Sequence, residues 1–166
     1  MKSRAPLLAL AAMTAAALVH AGLLARTLPE RVASHFDFAG QPNGWSARGS
    51  FLTSYLGVVA LLLLVGVGSG LAFAKLPIRW IDLPNRAYWL DPERRQATVR
   101  WMRAWSQWLC AVSIATMTFI WNEIARANQH TPVELGASFT YGVAGFLIVL
   151  AAMTGWLVAR FARIPR

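Results

Sequence analysis

The chain has 166 residues, 57% of them hydrophobic and 14% charged, with a formal net charge of +9. Soluble domains carry roughly 45–50% apolar and about 25% charged residues, so this composition excludes an ordinary soluble enzyme domain. A positive charge of this size in a soluble protein would suggest nucleic acid. Here the basic residues lie between long uncharged runs, and no nucleic-acid partner is expected.

Arg4 and Arg26, Arg48 and Lys75, Arg103 and Glu123, and Glu134 and Arg160 bracket four stretches that contain no charged residue. About 20 apolar residues in a helix cross the roughly 30 Å hydrocarbon core of a bilayer. The expected fold is therefore all-α. It is a four-helix transmembrane bundle in a single membrane domain, 1–166, with spans at about 6–25, 51–74, 104–122 and 138–159. An ordered outer loop and a cytoplasmic amphipathic helix are expected to complete it. Twelve of the sixteen basic residues fall at the N-terminus, at the C-terminus or in the loop 75–103. The positive-inside rule places those three regions in the cytoplasm, with attraction to anionic lipid as a second consequence.

Span one follows Lys2 and Arg4, as in a secretory leader, and Val19-His20-Ala21 is a passable cleavage site. A leader's apolar core is about 7–15 residues long. This run is longer, so a retained helix is expected and cleavage is the alternative.

The outer loop 26–50 carries Pro42-Asn43-Gly44, a turn signal, with Gly44 expected at positive φ. Ser34 to Phe38 alternates polar and apolar residues. If extended, it turns Phe36 and Phe38 toward the bundle or bilayer and puts His35 and Asp37 on the opposite face. His35 is then expected to meet a third group: Glu123, Arg126 or a loop carbonyl.

Span two contains Gly66 and Gly70 at a small-xxx-small spacing, which lets helices approach closely in lipid. In the loop 75–103, Pro77 and Pro84 favour extended backbone before them. Asp91-Pro92-Glu93 reads as a helix start: a capping carboxylate, a proline for the first turn and an acid at the positive dipole end. That helix runs along the membrane surface or straight into span three. Trp101, Trp105 and Trp108 share one face and are expected to mark the lipid interface. Cys110 is the single cysteine, so no intrachain disulfide forms, and it is expected to pack as a small apolar residue. Glu123 and Arg126, three apart near the end of span three, are expected to pair.

The run Leu28 to Phe51 resembles a bacterial integral-membrane family of unknown function that forms the N-terminal part of SdpI-type immunity proteins. Leu28, Pro29, His35, Gly40, Pro42, Asn43, Gly44, Trp45 and Arg48 carry the likeness; Ser34 replaces a common proline and Arg48 a common lysine. The stretch Leu83 to Arg95 is similar to a second, cytoplasmic motif of one branch, through Pro84, Asn85, Tyr88, Trp89, Pro92, Glu93, Arg94 and Arg95. The second half of SdpI proteins has no counterpart. The likeness implies a multi-pass protein of the bacterial cytoplasmic membrane and a non-enzymatic binding, immunity or signalling role. Its partners would be the bilayer and another membrane protein or a peptide toxin. The alternatives are a small structural subunit of a larger membrane complex and an outer-face metal-dependent enzyme.

His20, His35 and His130, with Asp37, Glu123 and Glu134, all fall toward the outer side and have ligand chemistry suited to a divalent metal. No His-x-x-x-His or Glu-x-x-His spacing occurs among them. The expectation is therefore no metal and no cofactor, with His20 packing between helices, His35 ordering its loop and His130 in solvent. No nucleophile–base arrangement and no paired carboxylates suited to acid–base work are visible. Tyr88-Trp89 and Arg94-Arg95 read as a surface segment at lipid phosphates or as a docking site.

Overall fold

The computed structural model describes residues 4–164. Lys2 and Arg166, counted above toward topology, lie outside the described residues. Four helices are long and apolar enough to cross a membrane: α1 (Ala5–Thr27), α2 (Arg48–Lys75), α4 (Pro92–Ala127) and α5 (Ala137–Ala162). Between α1 and α2 lies an antiparallel hairpin of β1 (Arg31–Phe36) and β2 (Pro42–Ala47). Between α2 and α4 lie one 3-10 turn, Ile78–Trp80, and the short α3 (Arg86–Trp89). The fold is the expected helical bundle, with a small sheet where an ordered loop was expected.

Local chemistry sets most of the boundaries. Leu28 and Leu76 end α1 and α2 in extended conformation, each directly before a proline. Asp91 caps α4, its Oδ1 accepting the Glu93 N–H at 3.1 Å, and Pro92 opens the first turn. Because nothing interrupts the helix after that start, α4 runs straight into the bundle for 36 residues. At about 1.5 Å per residue it is roughly 54 Å long, well beyond a hydrocarbon core. The separate amphipathic helix is therefore absent as such: its residues are the projecting first turns of α4. The helix that carries the third span starts at Pro92.

Helix α4 is the axis of the bundle, packed against α1, α2 and α5. The middle layer joins Leu10 and Ala17 of α1, Tyr55 and Val59 of α2, and Cys110 and Ile114 of α4. Gly66 is a point of close approach in this layer: a Cβ there would lie 2.7 Å from Leu10 Cδ2 and 3.2 Å from Cys110 Cβ. Helix α5 leans on α4, and the most apolar stretch of α5 buries no residue.

The second sequence motif fastens the helix ends away from the hairpin. Asn85 adopts left-handed backbone, φ 53°, and its Nδ2 donates to the last carbonyls of α5, Phe161 O at 3.0 Å and Ala162 O at 2.9 Å. Trp89 Nε1 donates to Phe161 O at 2.9 Å. Arg160 stacks on the Trp89 ring, its guanidinium carbon 4.6 Å from the ring centroid. Arg95 Nη2 donates to Leu76 O at 3.0 Å, capping α2, and Thr98 Oγ1 donates to Trp89 O at 2.8 Å. Arg94 lies 4.4 Å from the Tyr88 ring centroid and 3.7 Å from Asp91. Pro84 and Glu93 stay exposed beside these contacts. One segment of a dozen residues thus terminates α5 and α2 and starts α4. The tryptophan face divides: Trp101 packs on Trp156 and Phe161 of α5 at 5.0 and 5.1 Å, while Trp108 is exposed.

Asn85→Ala removes both α5 caps and strains a left-handed position, so it should lower stability by about 1–3 kcal/mol. Asn85→Gly keeps the backbone conformation and should lose less. Thermal unfolding of the detergent-solubilised variants measures both, and wild-type stability in Asn85→Ala would contradict the clamp.

Candidate functional site

The hairpin follows directly from α1. Its register pairs Arg31 with Ala47, Val32 with Ser46, Ala33 with Trp45, His35 with Gly44 and Phe36 with Pro42, with irregularities on both sides of His35. Val32 and Ala33 are fully buried on the helix ends. Pro29 is exposed at the entry to the hairpin. Arg48 holds the junction, its Nη1 donating to Leu28 O at 3.0 Å and its N–H to Glu30 O at 2.9 Å.

The turn lies earlier than the sequence suggested. Asp37 Oδ1 accepts the N–H groups of Ala39 and Gln41, each at 2.9 Å, and Gly40 N–H donates to Asp37 O at 3.0 Å. Gly40, φ 80°, is the left-handed residue. Gly44 is not at positive φ: Pro42, Asn43 and Gly44 are strand, as a proline at a strand's first position permits. Asp37 closes its own turn, and that local geometry outweighs the Pro-Asn-Gly signal. Gly44 is needed for another reason. A Cβ there would lie 2.9 Å from His35 Cβ and 3.1 Å from His35 Nδ1.

His35 is exposed, and its Nδ1 lies 3.1 Å from Ser34 Oγ. It does not reach Glu123, which accepts from Arg126 Nη1 at 3.1 Å, the expected pair, and also from the Ser138 hydroxyl. Phe36 packs against the bundle as expected, but Phe38 is fully exposed at the hairpin tip, because it sits in the turn rather than in the strand. Trp45 is partly exposed beneath Arg31, whose guanidinium carbon is 5.6 Å from the ring centroid.

Asn128, which no motif singled out, joins the hairpin to α4. Its Oδ1 accepts Ala33 N–H at 2.8 Å, and its Nδ2 donates to Ala33 O at 3.0 Å and to Ile124 O at 2.9 Å. The amide thus pairs with β1 as a neighbouring strand would. The available signal was an asparagine at the end of a long helix, a residue type that caps such ends.

The hairpin tip also meets the loop before α5, with Leu135 N–H donating to Gly40 O at 3.0 Å. Between tip and helix lies a cleft of about 710 Å³. Phe36, Asp37, Phe38, Gly40 and Asn43 line one side, and Phe139, Val143 and Leu147 of α5 line the other. Asp37, Gly40 and Asn43 of the first motif are thereby brought together. Pro29, His35, Pro42, Gly44 and Trp45 build the hairpin without lining the cleft. The second motif stands at the opposite end, so the two do not form one site.

The histidines do not converge. His20 Nδ1 lies 3.3 Å from Tyr55 Oη, Tyr55 donates to Thr118 Oγ1 at 2.9 Å, and Thr118 donates to Ile114 O at 2.9 Å. His130 is exposed in the loop after α4. Among the described residues, no three His, Cys, Asp or Glu side chains stand close enough to hold a metal ion.

Residues 12–59 match a family model described as a domain of unknown function, DUF1648. The match takes in most of α1, the whole hairpin and the first turns of α2, under a third of the chain. No curated protein and no solved structure matches the chain.

Gly44→Val should destabilise the hairpin by roughly 1–2 kcal/mol through contact with His35, without any positive-φ strain. Adding His35→Ala removes the opposing ring and should recover part of that loss, whereas His35→Gln alone should be tolerated. Thermal unfolding of the two single variants and the double variant checks this coupling. Strict additivity would contradict it.

Proposed function

We propose that this multi-pass membrane protein is a non-enzymatic binding component related to SdpI-type immunity proteins, and that its hairpin cleft receives an apolar peptide. The cleft carries the reading. It is about 710 Å³, walled by phenylalanines and by an apolar stretch of α5, with Asp37 and Asn43 at its rim. A few polar groups around an apolar concavity fix the orientation of an amphipathic ligand, while burial of apolar area supplies affinity. The DUF1648 match spans the hairpin that forms one wall. The likeness of residues 28–51 to immunity proteins supports a peptide toxin as the ligand class, and nucleic acid has no place in this reading. A small structural subunit is the second reading. It is favoured by α5, whose most apolar stretch buries no residue and leaves a face open to another membrane protein.

The reading places the protein in a bacterial cytoplasmic membrane, with both termini inside and the hairpin outside. The hairpin end carries Arg26, Arg31, Arg48 and Arg126, and the other basic residues among those described lie at the other end. Reporter fusions after Arg166 and within 75–103 should report cytoplasm, and one inserted at the 38–40 turn should report the outside. A C-terminus on the outer side would reverse the assignment.

A photo-crosslinking side chain placed at Asn43 or Val143 in intact membranes should give a peptide adduct. The same group at Tyr141, exposed on α5 but absent from the cleft lining, should not. Lipid adducts alone at all three positions would overturn the peptide reading.

A further inference from the structure

The basic residues at the end away from the hairpin fall into two sets. Arg86 donates to Arg79 O, Arg94 lies on Tyr88, Arg95 caps α2 and Arg160 stacks on Trp89. These hold the fold together. Arg103 belongs to the other set. It lies against α2 at Gly70, where a Cβ would come within 2.5 Å of Arg103 Cδ and 2.9 Å of its Cγ and Nε. Its stem therefore lies against bare backbone, while the side chain as a whole is exposed. Yet among the described residues no carboxylate, carbonyl or ring partners its guanidinium.

Gln107 follows four residues later on the same face of α4. It is 4% exposed, and its amide Nε2 is buried with no acceptor. A buried amide donor without a partner is costly, and here it stands one turn deeper than an unpaired guanidinium. Both groups are donors awaiting an acceptor. The carboxylate of Asp91, twelve residues earlier at the start of α4, is engaged in capping the helix and facing Arg94. Arg4, Lys75 and Arg100 are exposed at the same end and add positive charge.

We propose that Arg103 and Gln107, beside Gly70, form a site for the phosphate of an anionic lipid headgroup. A guanidinium meets two phosphate oxygens in a fork, and the enclosed Gln107 amide, one turn deeper on the same face, adds an N–H once its side chain turns toward that fork. The surrounding cations disfavour a headgroup that carries its own positive charge, so phosphatidylglycerol is preferred to phosphatidylcholine. The site is independent of the hairpin cleft and needs only that α2 and α4 cross a bilayer.

The test is lipid retention by the full chain, measured by native mass spectrometry in mixed micelles of phosphatidylglycerol and phosphatidylcholine. Wild type should retain phosphatidylglycerol over phosphatidylcholine by about tenfold, and Arg103→Gln should abolish that preference. Gly70→Ala changes no charge but displaces the arginine stem, and should reduce retention about fivefold; Gln107→Leu should reduce it about threefold. Arg100→Gln, a control for diffuse charge, should cost less than about twofold. Thermal unfolding identifies any variant that fails to fold, and Arg103→Lys, which keeps the charge but not the fork, then replaces Arg103→Gln with an expected loss of about threefold. Equal losses in Arg100→Gln and Arg103→Gln, or no loss in Gly70→Ala, would overturn the site. Displacement of the lipid by about 10 mM inorganic phosphate would assign it to a soluble anion and overturn the lipid reading.

Discussion

Unmet carbonyl oxygens at the end of a transmembrane helix need partners, and the segment from Asn85 to Thr98 is built around that need. Lipid is as apolar as the helix faces, so burial of side chains gives little drive for α5 to stay with α4. Helix α5 depends instead on polar contacts at its ends. Asn85 and Trp89 bond its final carbonyls, Arg160 stacks on Trp89, and the hydroxyl of Ser138 donates to Glu123 at the other end. The same segment caps α2 through Arg95 and starts α4 through Asp91. Removing it would release three helix ends together.

The hairpin end follows the same logic with different groups. Arg48 occupies the carbonyl of Leu28 just past α1, and Asn128 gives β1 the edge partner that a two-stranded sheet otherwise lacks. An isolated hairpin is marginal in water. This one is kept by Val32 and Ala33 buried on the bundle and by an amide that acts as a third strand. The cleft is a consequence. The turn is held out by Gly40 against Leu135, and the space between the turn and α5 remains open.

How much of this was legible follows from the range of each signal. Gaps between charges located the spans, because hydrocarbon tolerates few charges over some 20 residues. Asp91-Pro92-Glu93 located the start of α4, because capping is local. The sequence does not show that α4 continues from there into the membrane, since nothing local distinguishes a surface helix from a projecting one. The turn was misplaced because Pro42-Asn43-Gly44 has turn propensity, while Asp37 closes a turn only by bonding residues two and four ahead. Gly44 faces His35, Gly66 faces Leu10 and Asn128 faces Ala33: each is a tertiary relation between residues far apart or on opposite strands. The motif from Leu83 to Arg95 was visible as a motif, but its role as a clamp needs α5, more than sixty residues later.

Between the two ends, one polar chain sets how α1 sits. The carbonyl of Ile114 can only accept, so Thr118 donates to it; Tyr55 then donates to Thr118, and its oxygen is left to accept from His20 Nδ1–H. The direction of the whole chain follows from that one backbone group. Tyr55 is fully buried and stacked on Trp121, with ring centroids 5.2 Å apart, so its hydroxyl has nowhere else to turn. A shift of α1 by one turn, about 5.4 Å, would take Leu10 from the bare backbone of Gly66. It would also carry the His20 ring away from Tyr55 and leave a buried phenol oxygen with one bond fewer. That hydrogen bond and the Leu10–Gly66 contact together favour the register in which the hairpin reaches Asn128.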